Sequence, residues 1–171
     1  MYIQDDTAGI LIYLPKDHRN YNLGDKVEVT GNLATYHEEF EISVDERSDV
    51  KFLGPGLPPP PLPIATTSLL DPYEGMLVML QGPAVQFKGW STLWVDDGTG
   101  WAKVCLLRST GIKKPYLKVG TQISVVGIVS QYADEDEDSR NDYRLLPRYQ
   151  TDLILPAPTN WPALLPETGI R

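Results

Sequence analysis

Short apolar runs that alternate with glycine-containing polar turns dominate this chain, and one such pattern occurs twice. Residues 2–14 (YIQDDTAGILIYL) and 93–106 (LWVDDGTGWAKVCL) each read as an apolar strand, an Asp-Asp pair, a small-residue turn and a second apolar strand. Turns of this kind need a glycine and side chains that hydrogen-bond their own backbone. Both segments therefore predict a β-hairpin, and we interpret the aspartates as turn formers rather than as a catalytic acid–base pair.

A second matched block follows each hairpin. Residues 23–31 (LGDKVEVTG) correspond to residues 119–127 (VGTQISVVG), and Tyr36 and Tyr132 follow at the same spacing. Glycines inside strands, here Gly31 and Gly127, mark bulges or the sharp bends of barrel corners. Two copies of one β-unit are the simplest explanation.

The second copy predicts five strands, with a longer connection after the third. These are Met76–Phe87, Thr92–Asp96, Trp101–Leu107, Gln122–Tyr132 and Asp142–Leu155. Helix is scarce, with short candidates only near Thr67–Leu70 and Lys114–Leu117. The fold class predicted from the pattern is all-β.

Three short motifs and one phrase carry a family resemblance. The D-G-T-G turn at 97–100, the V-G at 119–120, the V-x-G at 125–127 and the phrase YEGMLV at 73–78 resemble nucleic-acid-binding OB-fold modules of secreted bacterial nucleases and large cell-surface proteins. The resemblance implies two five-stranded Greek-key OB-like barrels in tandem. Such barrels bind oligonucleotides and oligosaccharides on their second and third strands and the adjacent loops.

The first copy departs from this pattern because Met1 is followed at once by what should be the second strand. The opening strand of the first barrel is therefore missing, which leaves two exposed strand edges. Either the chain was cut from a longer protein, or the tail after Leu155 or a neighbouring domain or chain fills the gap. We divide the chain into an incomplete barrel (1–54), a stiff Pro-rich linker (55–66), a complete barrel (67–155) and an extended tail (156–171).

The charge of the chain opposes a nucleic-acid ligand, whereas one segment favours it. The net charge of -8 and the pI near 4.7 repel a phosphate backbone. Cations and aromatic residues nevertheless interleave around the third strand of the second copy, which is the composition of a base-stacking platform. The candidate nucleic-acid-binding residues are Trp94, Trp101, Lys103, Arg108, Lys113, Lys114 and Tyr116. The alternative is that the tryptophans belong to the core and the lysines are merely solvated.

No residue pattern predicts catalysis, a cofactor or a metal site. The single cysteine, Cys105, excludes an intrachain disulfide and a Cys-based zinc site, and His18 and His37 both lie in the other repeat. No Walker loop, nucleophile elbow or HExxH motif is present. The acidic run at 134–138 (DEDED) could gather Ca²⁺, but it lacks the spaced ligands of an EF-hand and reads more simply as a solvated hairpin tip.

The C-terminal tail carries an LPETG motif made of Leu165, Pro166, Glu167, Thr168 and Gly169. It matches the L-P-x-T-G signal that sortases cleave when they attach bacterial surface proteins to the cell wall. The hydrophobic stretch and basic tail that should follow are missing, so truncation, an engineered tag and chance stay open. No apolar run is long enough to cross a membrane, and no signal peptide opens the chain.

Two functions follow as expectations. The first is a noncatalytic binding module for single-stranded nucleic acid, in a secreted or cell-wall-attached bacterial protein. The second is a structural or protein-interaction spacer of a surface protein, without nucleic-acid binding. Sortase is an expected partner if the C-terminal motif is used.

Overall fold

A computed structural model describes residues 1–14, 20–133 and 143–156 of the chain. These residues form short strands and single 3-10 turns, with no α-helix among them. The strands are β1 (Tyr2–Gln4), β2 (Gly9–Tyr13), β3 (Lys26–Val29), β4 (Asn32–Tyr36), β5 (Glu39–Ser43), β6 (Val50–Gly54), β7 (Leu62–Pro63), β8 (Leu77–Lys88), β9 (Thr92–Asp96), β10 (Trp101–Cys105), β11 (Gln122–Gln131), β12 (Tyr143–Leu146) and β13 (Leu153–Ile154). The all-β prediction is confirmed for this part of the chain.

Five strands of the carboxy-terminal unit close a barrel. Their order is β8-β9-β10-β12-β11, and β11 returns to pair with β8. All neighbours are antiparallel except β10 and β12, which run parallel. β8 pairs with both β9 and β11 because it is long and bends at a bulge between Ala84 and Gln86. At Gly82 a Cβ atom would stand 2.5 Å from the Asp96 carbonyl oxygen, so only glycine allows the strands to cross there.

Alternation of side chains places the core of this barrel. Leu93 and Val95 of β9 and Ala102 and Val104 of β10 are buried, while the residues between them face outward. Aliphatic residues from all five strands fill the interior. The period-two pattern of the sequence therefore determines which residues remain available on the outer surface.

The amino-terminal unit repeats the strand pairings of the barrel without closing one. β1–β2 corresponds to β9–β10, parallel β2–β5 to β10–β12, β4–β5 to β11–β12, and β3–β6 to β11–β13. β3 and β4 together match the long β11, with Gly31 at the break. No strand in the described residues corresponds to β8, so the structure contains one closed barrel rather than two.

Hydrogen bonds in the two hairpin turns define the alignment of the repeats. Asp5 Oδ1 accepts bonds from the backbone N–H and hydroxyl of Thr7 at 2.7 and 2.6 Å. Asp97 Oδ1 accepts the same pair from Thr99 at 3.0 and 2.6 Å. Asp5 is thus equivalent to Asp97. Alignment of the two Asp-Asp pairs by sequence would instead match Asp5 with Asp96, so the structural alignment differs from it by one residue. These contacts confirm that the aspartates form turns.

Three sequence-based element predictions are wrong in detail. The predicted last strand, Asp142–Leu155, is interrupted: β12 ends at Leu146, a 3-10 turn spans Gln150–Asp152, and β13 follows. Pro147 has no N–H for the ladder, and Asp152 accepts bonds from the backbone N–H groups of Arg148 and Tyr149, which fixes a turn instead. The predicted helix near Thr67–Leu70 is a single 3-10 turn at Thr66–Ser68, and the segment 114–117 forms no helix.

The two units pack directly against each other. A Cβ atom on Gly9 would lie 2.2 Å from the carbonyl oxygen of Gly75, which precedes β8. The Pro-rich segment also contributes, because Leu62–Pro63 pairs in parallel with Val78–Met79 at the edge of the barrel. The amino-terminal unit is therefore held against the base of the barrel rather than tethered at a distance.

Candidate functional site: a basic and aromatic face of the barrel

A row of paired side chains crosses all five strands of the barrel. Trp94 on β9 stands opposite Lys103 on β10, and Lys103 stands opposite Arg144 on β12. Neighbouring strands lie about 4.8 Å apart, so these three side chains form a continuous strip. Ser130 on β11 extends it beyond Arg144, and Gln86 on β8 extends it beyond Trp94.

Trp101 adds a second aromatic ring to this surface. It is the first residue of β10, two residues before Lys103 and therefore on the same face, and it is 48% exposed. Trp94 is half-buried at the centre of the row. We call the surface formed by Trp94, Trp101, Lys103 and Arg144 the basic–aromatic face.

Arg144 was absent from the residues selected from the sequence. Its guanidinium lies 4.5 Å from the centre of the Tyr132 ring, and its Nε donates a hydrogen bond to Ser130 Oγ at 3.3 Å. These contacts orient the group along the strip. The position of Arg144 next to Lys103 depends on the parallel pairing of β10 with β12, which no local pattern reveals.

The other predicted residues lie on the connector between β10 and β11. Arg108 stacks over the ring of Trp90 at 4.9 Å, and the ammonium of Lys114 contacts the Gly89 carbonyl. Both therefore lie at the β8–β9 turn, at the end of the basic–aromatic face away from Trp101. Tyr116 is 93% exposed on the connector. The structure thus unites Trp94, Trp101 and Lys103, and places Arg108 and Lys114 at one border.

Lys113 is held through its backbone rather than through a contact with the face. Its N–H donates to the side-chain oxygen of Gln150 at 2.9 Å, and the Gln150 amide donates back to its carbonyl at 3.2 Å. This pair of bonds attaches the connector to the 3-10 turn before β13. The ammonium of Lys113 remains at the exposed surface of the connector.

Cys105 shares the outward side of β10, opposite Thr92. Burial raises the pKa of its thiol, although Lys103 and Arg144 act in the opposite direction. A thiol needs a depressed pKa to act as a nucleophile at neutral pH. Its environment therefore matches a strand residue and offers no activation for covalent chemistry.

The corresponding face of the amino-terminal unit carries no such cations. By the alignment of the turns and strand pairs, Tyr2 replaces Trp94, Leu11 replaces Lys103 and Glu41 replaces Arg144. This surface is also used for packing between the units, since Gln4 Oε1 accepts a bond from the Leu77 N–H at 2.8 Å. The two copies have therefore diverged in surface chemistry while keeping the same pairings.

A buried carboxylate links the packed units. Glu39 accepts a hydrogen bond from the Tyr2 hydroxyl at 2.7 Å and another from Ser130 Oγ at 3.2 Å. Burial raises the pKa of the Glu39 carboxyl and that of the Tyr2 phenol. Because Ser130 also accepts the bond from Arg144, this network connects the joint between the units to the basic–aromatic face.

The turn between β4 and β5 borders the face at its Arg144 end. The His37 ring stacks on Tyr132 with centroids 4.0 Å apart, and the backbone N–H of Ala133 donates to the His37 carbonyl at 3.0 Å. His37 and Glu38 both have positive φ, as a tight turn requires. Tyr132 is consequently held between His37 and Arg144.

Several features of the sequence lie outside the described residues, namely His18, the acidic run at 134–138 and the LPETG motif. Within residues 1–14, 20–133 and 143–156, no cluster of three or more His, Cys, Asp or Glu side chains could hold a metal ion. In the same residues, no helix has the length and hydropathy to cross a membrane.

Comparison with known proteins gives one relative by sequence. The chain is 30% identical over 175 aligned positions to endonuclease YhcR of Bacillus subtilis (strain 168), an alignment that covers 92% of this chain and 14% of that protein. The chain therefore spans a small part of its relative. No protein-family model matches the chain.

Among solved structures, similarity extends to an OBody bound to hen egg-white lysozyme. The sequence identity is 17% and the TM-score is 0.44, with 57% of this chain and 96% of that chain covered. A similarity of this size is too small to support an inference about fold or function.

Proposed function

We propose that this chain is a noncatalytic OB-fold module whose closed barrel binds single-stranded nucleic acid on the basic–aromatic face. A five-stranded Greek-key barrel with its ligand on the second and third strands is the OB arrangement. Here those strands are β9 and β10, which carry Trp94, Trp101 and Lys103. The observation that carries the proposal is the strip formed by Trp94, Lys103 and Arg144.

The chemistry of the strip suits a single strand. Unstacked bases bind to aromatic rings, here Trp94 and Trp101, and such contacts tolerate any base sequence because every base has a π face. Lys103 and Arg144 supply charge for the phosphates between stacked bases. The net charge of -8 makes the rest of the molecule repulsive, so binding depends on this local patch and weakens steeply with salt.

The relationship to endonuclease YhcR supports a nucleic-acid context. The aligned segment is 14% of that protein, which leaves room for catalysis elsewhere in its chain. We infer that the present segment contributes substrate binding rather than bond cleavage. Its described residues offer an unactivated thiol at Cys105 and aspartates at Asp5 and Asp97 that are engaged in turns.

Titration with a short labelled single strand at low salt tests this function. Wild-type protein should raise the fluorescence anisotropy of the strand, and Trp101→Ala should cost about 1–3 kcal/mol of binding free energy, as expected for one stacked base. Tyr13→Ala is the matched control, because Tyr13 is an exposed aromatic residue on the amino-terminal unit. Equal losses for the two variants would contradict the assignment of the face.

A structural or protein-interaction spacer is the second candidate. It is favoured by the acidic net charge and by the amino-terminal unit, whose corresponding face packs on the barrel instead of remaining open. A spacer predicts no association with single strands at low salt. The same titration therefore separates the two functions.

We propose an extracellular location, with attachment to a bacterial cell wall through the LPETG motif. The support is the motif itself, at Leu165–Gly169 within a Pro-rich segment of the sequence. Incubation with a sortase and a Gly-bearing peptide should yield a product in which Thr168 is joined to that peptide, detectable by mass. Thr168→Ala should abolish it. Reaction of the unfolded chain but not of the folded protein would contradict an anchoring role.

A further inference from the structure

Both side chains that hold Arg144 are themselves held by the amino-terminal unit. Arg144 donates a hydrogen bond to Ser130 and places its guanidinium over the ring of Tyr132, at the end of β11. Ser130 in turn donates to Glu39 Oε2 at 3.2 Å, and Tyr132 stacks on His37 with ring planes 18° apart. His37 and Glu39 belong to residues 37–39, where β4 turns into β5, and we call these three residues the clamp segment. The amino-terminal unit therefore reaches Arg144 by two separate routes.

Backbone and side-chain contacts together fix the position of the clamp segment. The Ala133 N–H donates to the His37 carbonyl at 3.0 Å, and His37 Nδ1 lies 2.9 Å from the Ala133 carbonyl oxygen. The side-chain amide of Gln131 donates to Glu38 Oε2 at 3.4 Å. Each of the three residues of the segment thus contacts the end of β11, so its position does not depend on any single bond.

The hydroxyl of Ser130 transmits the position of Glu39 to Arg144. A hydroxyl has one proton to donate, and an arginine N–H can only donate. Ser130 therefore accepts the bond from Arg144 and directs its own proton to Glu39. Without Glu39, the next acceptor for that proton is the Gln131 carbonyl oxygen at 3.5 Å, which is too distant for a strong hydrogen bond. The lone pair that orients Arg144 would then no longer be fixed.

Glu39 and Ser130 are too deeply buried to contact a ligand themselves. Glu39 is 4% exposed and Ser130 is 0% exposed. Arg144 is half-buried, and within the described part of the chain only its Nε donates a hydrogen bond. The two terminal nitrogens of its guanidinium are left for a phosphate, whose oxygens match this planar group. Any effect of Glu39 on a bound strand must therefore pass through Arg144.

We propose that the clamp segment positions Arg144 for a phosphate of the bound strand, with Glu39 acting through Ser130 and His37 acting through Tyr132. The inference rests on the proposed function of the basic–aromatic face and adds that the binding site is composite. The barrel supplies the groups that contact the strand, and the amino-terminal unit fixes the orientation of one of them. The amino-terminal unit thus takes part in binding, although its own corresponding face carries a leucine and a glutamate in place of the barrel's cations.

Binding of a labelled oligothymidylate of about ten nucleotides by variants of the full chain tests this relay. Glu39→Ala removes the acceptor of the Ser130 proton, and Ser130→Ala removes the relay but leaves the bond from Tyr2 to Glu39 in place. Each variant should weaken binding by about fivefold, as expected for the loss of one hydrogen bond. Glu39→Gln keeps an oxygen that can accept from Ser130, and its affinity should stay within about twofold of the wild type.

Glu74→Ala is the matched control for Glu39→Ala. Glu74 is another carboxylate between the two units, since it accepts a hydrogen bond from the Phe40 N–H at 2.8 Å, and its described contacts do not include Ser130. Its loss should loosen the packing of the units and leave the affinity for the strand unchanged. A loss equal to that of Glu39→Ala would show that only the packing matters, and would overturn the proposal.

A double-mutant cycle tests whether Glu39 acts through Arg144. In Arg144→Gln, which already lacks the oriented cation, adding Glu39→Ala should weaken binding by less than about twofold, because coupled residues are not additive. A full further loss of about fivefold would overturn the proposal, since Glu39 would then act through another group.

NMR of the arginine side chains in the free protein separates failure of this inference from failure of the proposed function. The Arg144 Nε–H should exchange with water about fivefold faster in Glu39→Ala and Ser130→Ala than in the wild type, and at the wild-type rate in Glu74→Ala. If these rates change as expected but the wild type binds no strand, the proposed function fails and the positioning of Arg144 stands. If the strand binds with unchanged affinity to Glu39→Ala and Ser130→Ala, the inference fails and the proposed function stands.

Discussion

At the scale of single residues, Arg144 is the cation of the basic–aromatic face whose orientation is set by neighbouring side chains. Its guanidinium lies over Tyr132 and is tied to Ser130, so the group is already oriented before a ligand arrives. Preorganisation of this kind reduces the entropy lost on binding. Under the proposed function, Arg144 acts electrostatically, and its contribution should appear in the salt dependence of binding.

Replacing Arg144 tests that role directly. Arg144→Gln should reduce the slope of log K against log salt by about 0.7, the value for one lost phosphate contact on a single strand. Lys51→Gln removes the same charge from an exposed residue that pairs with Glu28 in the other unit, and should leave the slope unchanged. Equal slopes for wild type and Arg144→Gln would remove this residue from the interface.

Asp97 is the residue on which the β9–β10 turn depends. Besides the bonds from Thr99, its carboxylate accepts bonds from the Thr66 N–H at 3.0 Å and the Thr66 hydroxyl at 2.7 Å. Asp97→Ala leaves the backbone N–H of the buried Thr66 unsatisfied, while the Thr66 hydroxyl keeps the Gly100 carbonyl as an acceptor, and should destabilise the protein by about 1–3 kcal/mol in urea denaturation. Asp5→Ala removes only the bonds from Thr7 and Ala8, at an exposed turn, and should cost less.

The same carboxylate predicts a direction for acid sensitivity. Hydrogen bonds from Thr99 and Thr66 hold the pKa of Asp97 well below its usual value. The folded state therefore gains stability above the ordinary Asp pKa and loses it as the pH falls towards the depressed value. In Asp97→Asn this part of the acid dependence should be missing. If Asp97→Asn loses as much stability between pH 5 and pH 2.5 as the wild type does, Asp97 is not the source of this acid sensitivity.

At the scale of elements, the hairpins and the barrel strands follow from local patterns, whereas the ends of elements do not. Alternation in β9 and β10 and the glycines near the turns predict those strands to the residue or nearly so. The sequence pattern does not predict the break after Leu146, because the break depends on Pro147 and on a hydrogen bond from the Arg148 N–H to the Asp152 carboxylate, four residues later.

The packing of β5 against β11 leads to a prediction at this scale. Burial raises the pKa of Glu39, with Tyr2, Ser130 and Arg144 opposing the shift and Glu41 adding to it. A raised folded-state pKa means that its stabilising contribution is present at low pH and is lost as pH rises through that value. Glu39→Gln should therefore flatten this part of the stability profile between pH 4 and pH 8, measured by thermal denaturation.

An exposed carboxylate provides the control. Asp45→Asn lies in the loop after β5 and should leave the profile as in the wild type. If Glu39→Gln instead keeps the full pH dependence, the buried carboxyl is not its source. Glu74, whose pKa is also raised by burial, would then be the next group to replace.

At the scale of the whole molecule, the sequence predicts the repeat but not the way in which its two copies pack against each other. The matched blocks ending at Gly31 and Gly127 predict two related units, and the strand pairings of the two units correspond. The contact of Gly9 with Gly75 and the replacement of Lys103 and Arg144 by Leu11 and Glu41 depend on tertiary arrangement. Arg144 belongs to the candidate site only through the parallel pairing of β10 with β12, which local sequence patterns do not reveal.

Adding a single methyl group at Gly9 should disturb the packing between the two units. Gly9→Ala places a Cβ atom 2.2 Å from the Gly75 oxygen, and backbone atoms cannot move aside as a flexible side chain can. We expect the amino-terminal unit, with its small buried core, to melt in a separate transition at lower temperature, visible by calorimetry. Gly111→Ala meets open space at φ 68° and should cost about 1–2 kcal/mol without dividing the transition.

Amide NMR shifts on titration with a single strand test most directly whether nucleic acid binds to one face of the closed barrel. A strand of about ten nucleotides matches the site size of one OB-fold. At low salt, the predicted shifts are confined to β9, β10, β12 and the adjacent connector, with the largest at Trp94, Trp101 and Arg144. Shifts concentrated in the amino-terminal unit, or none at saturating strand concentration, would contradict the account.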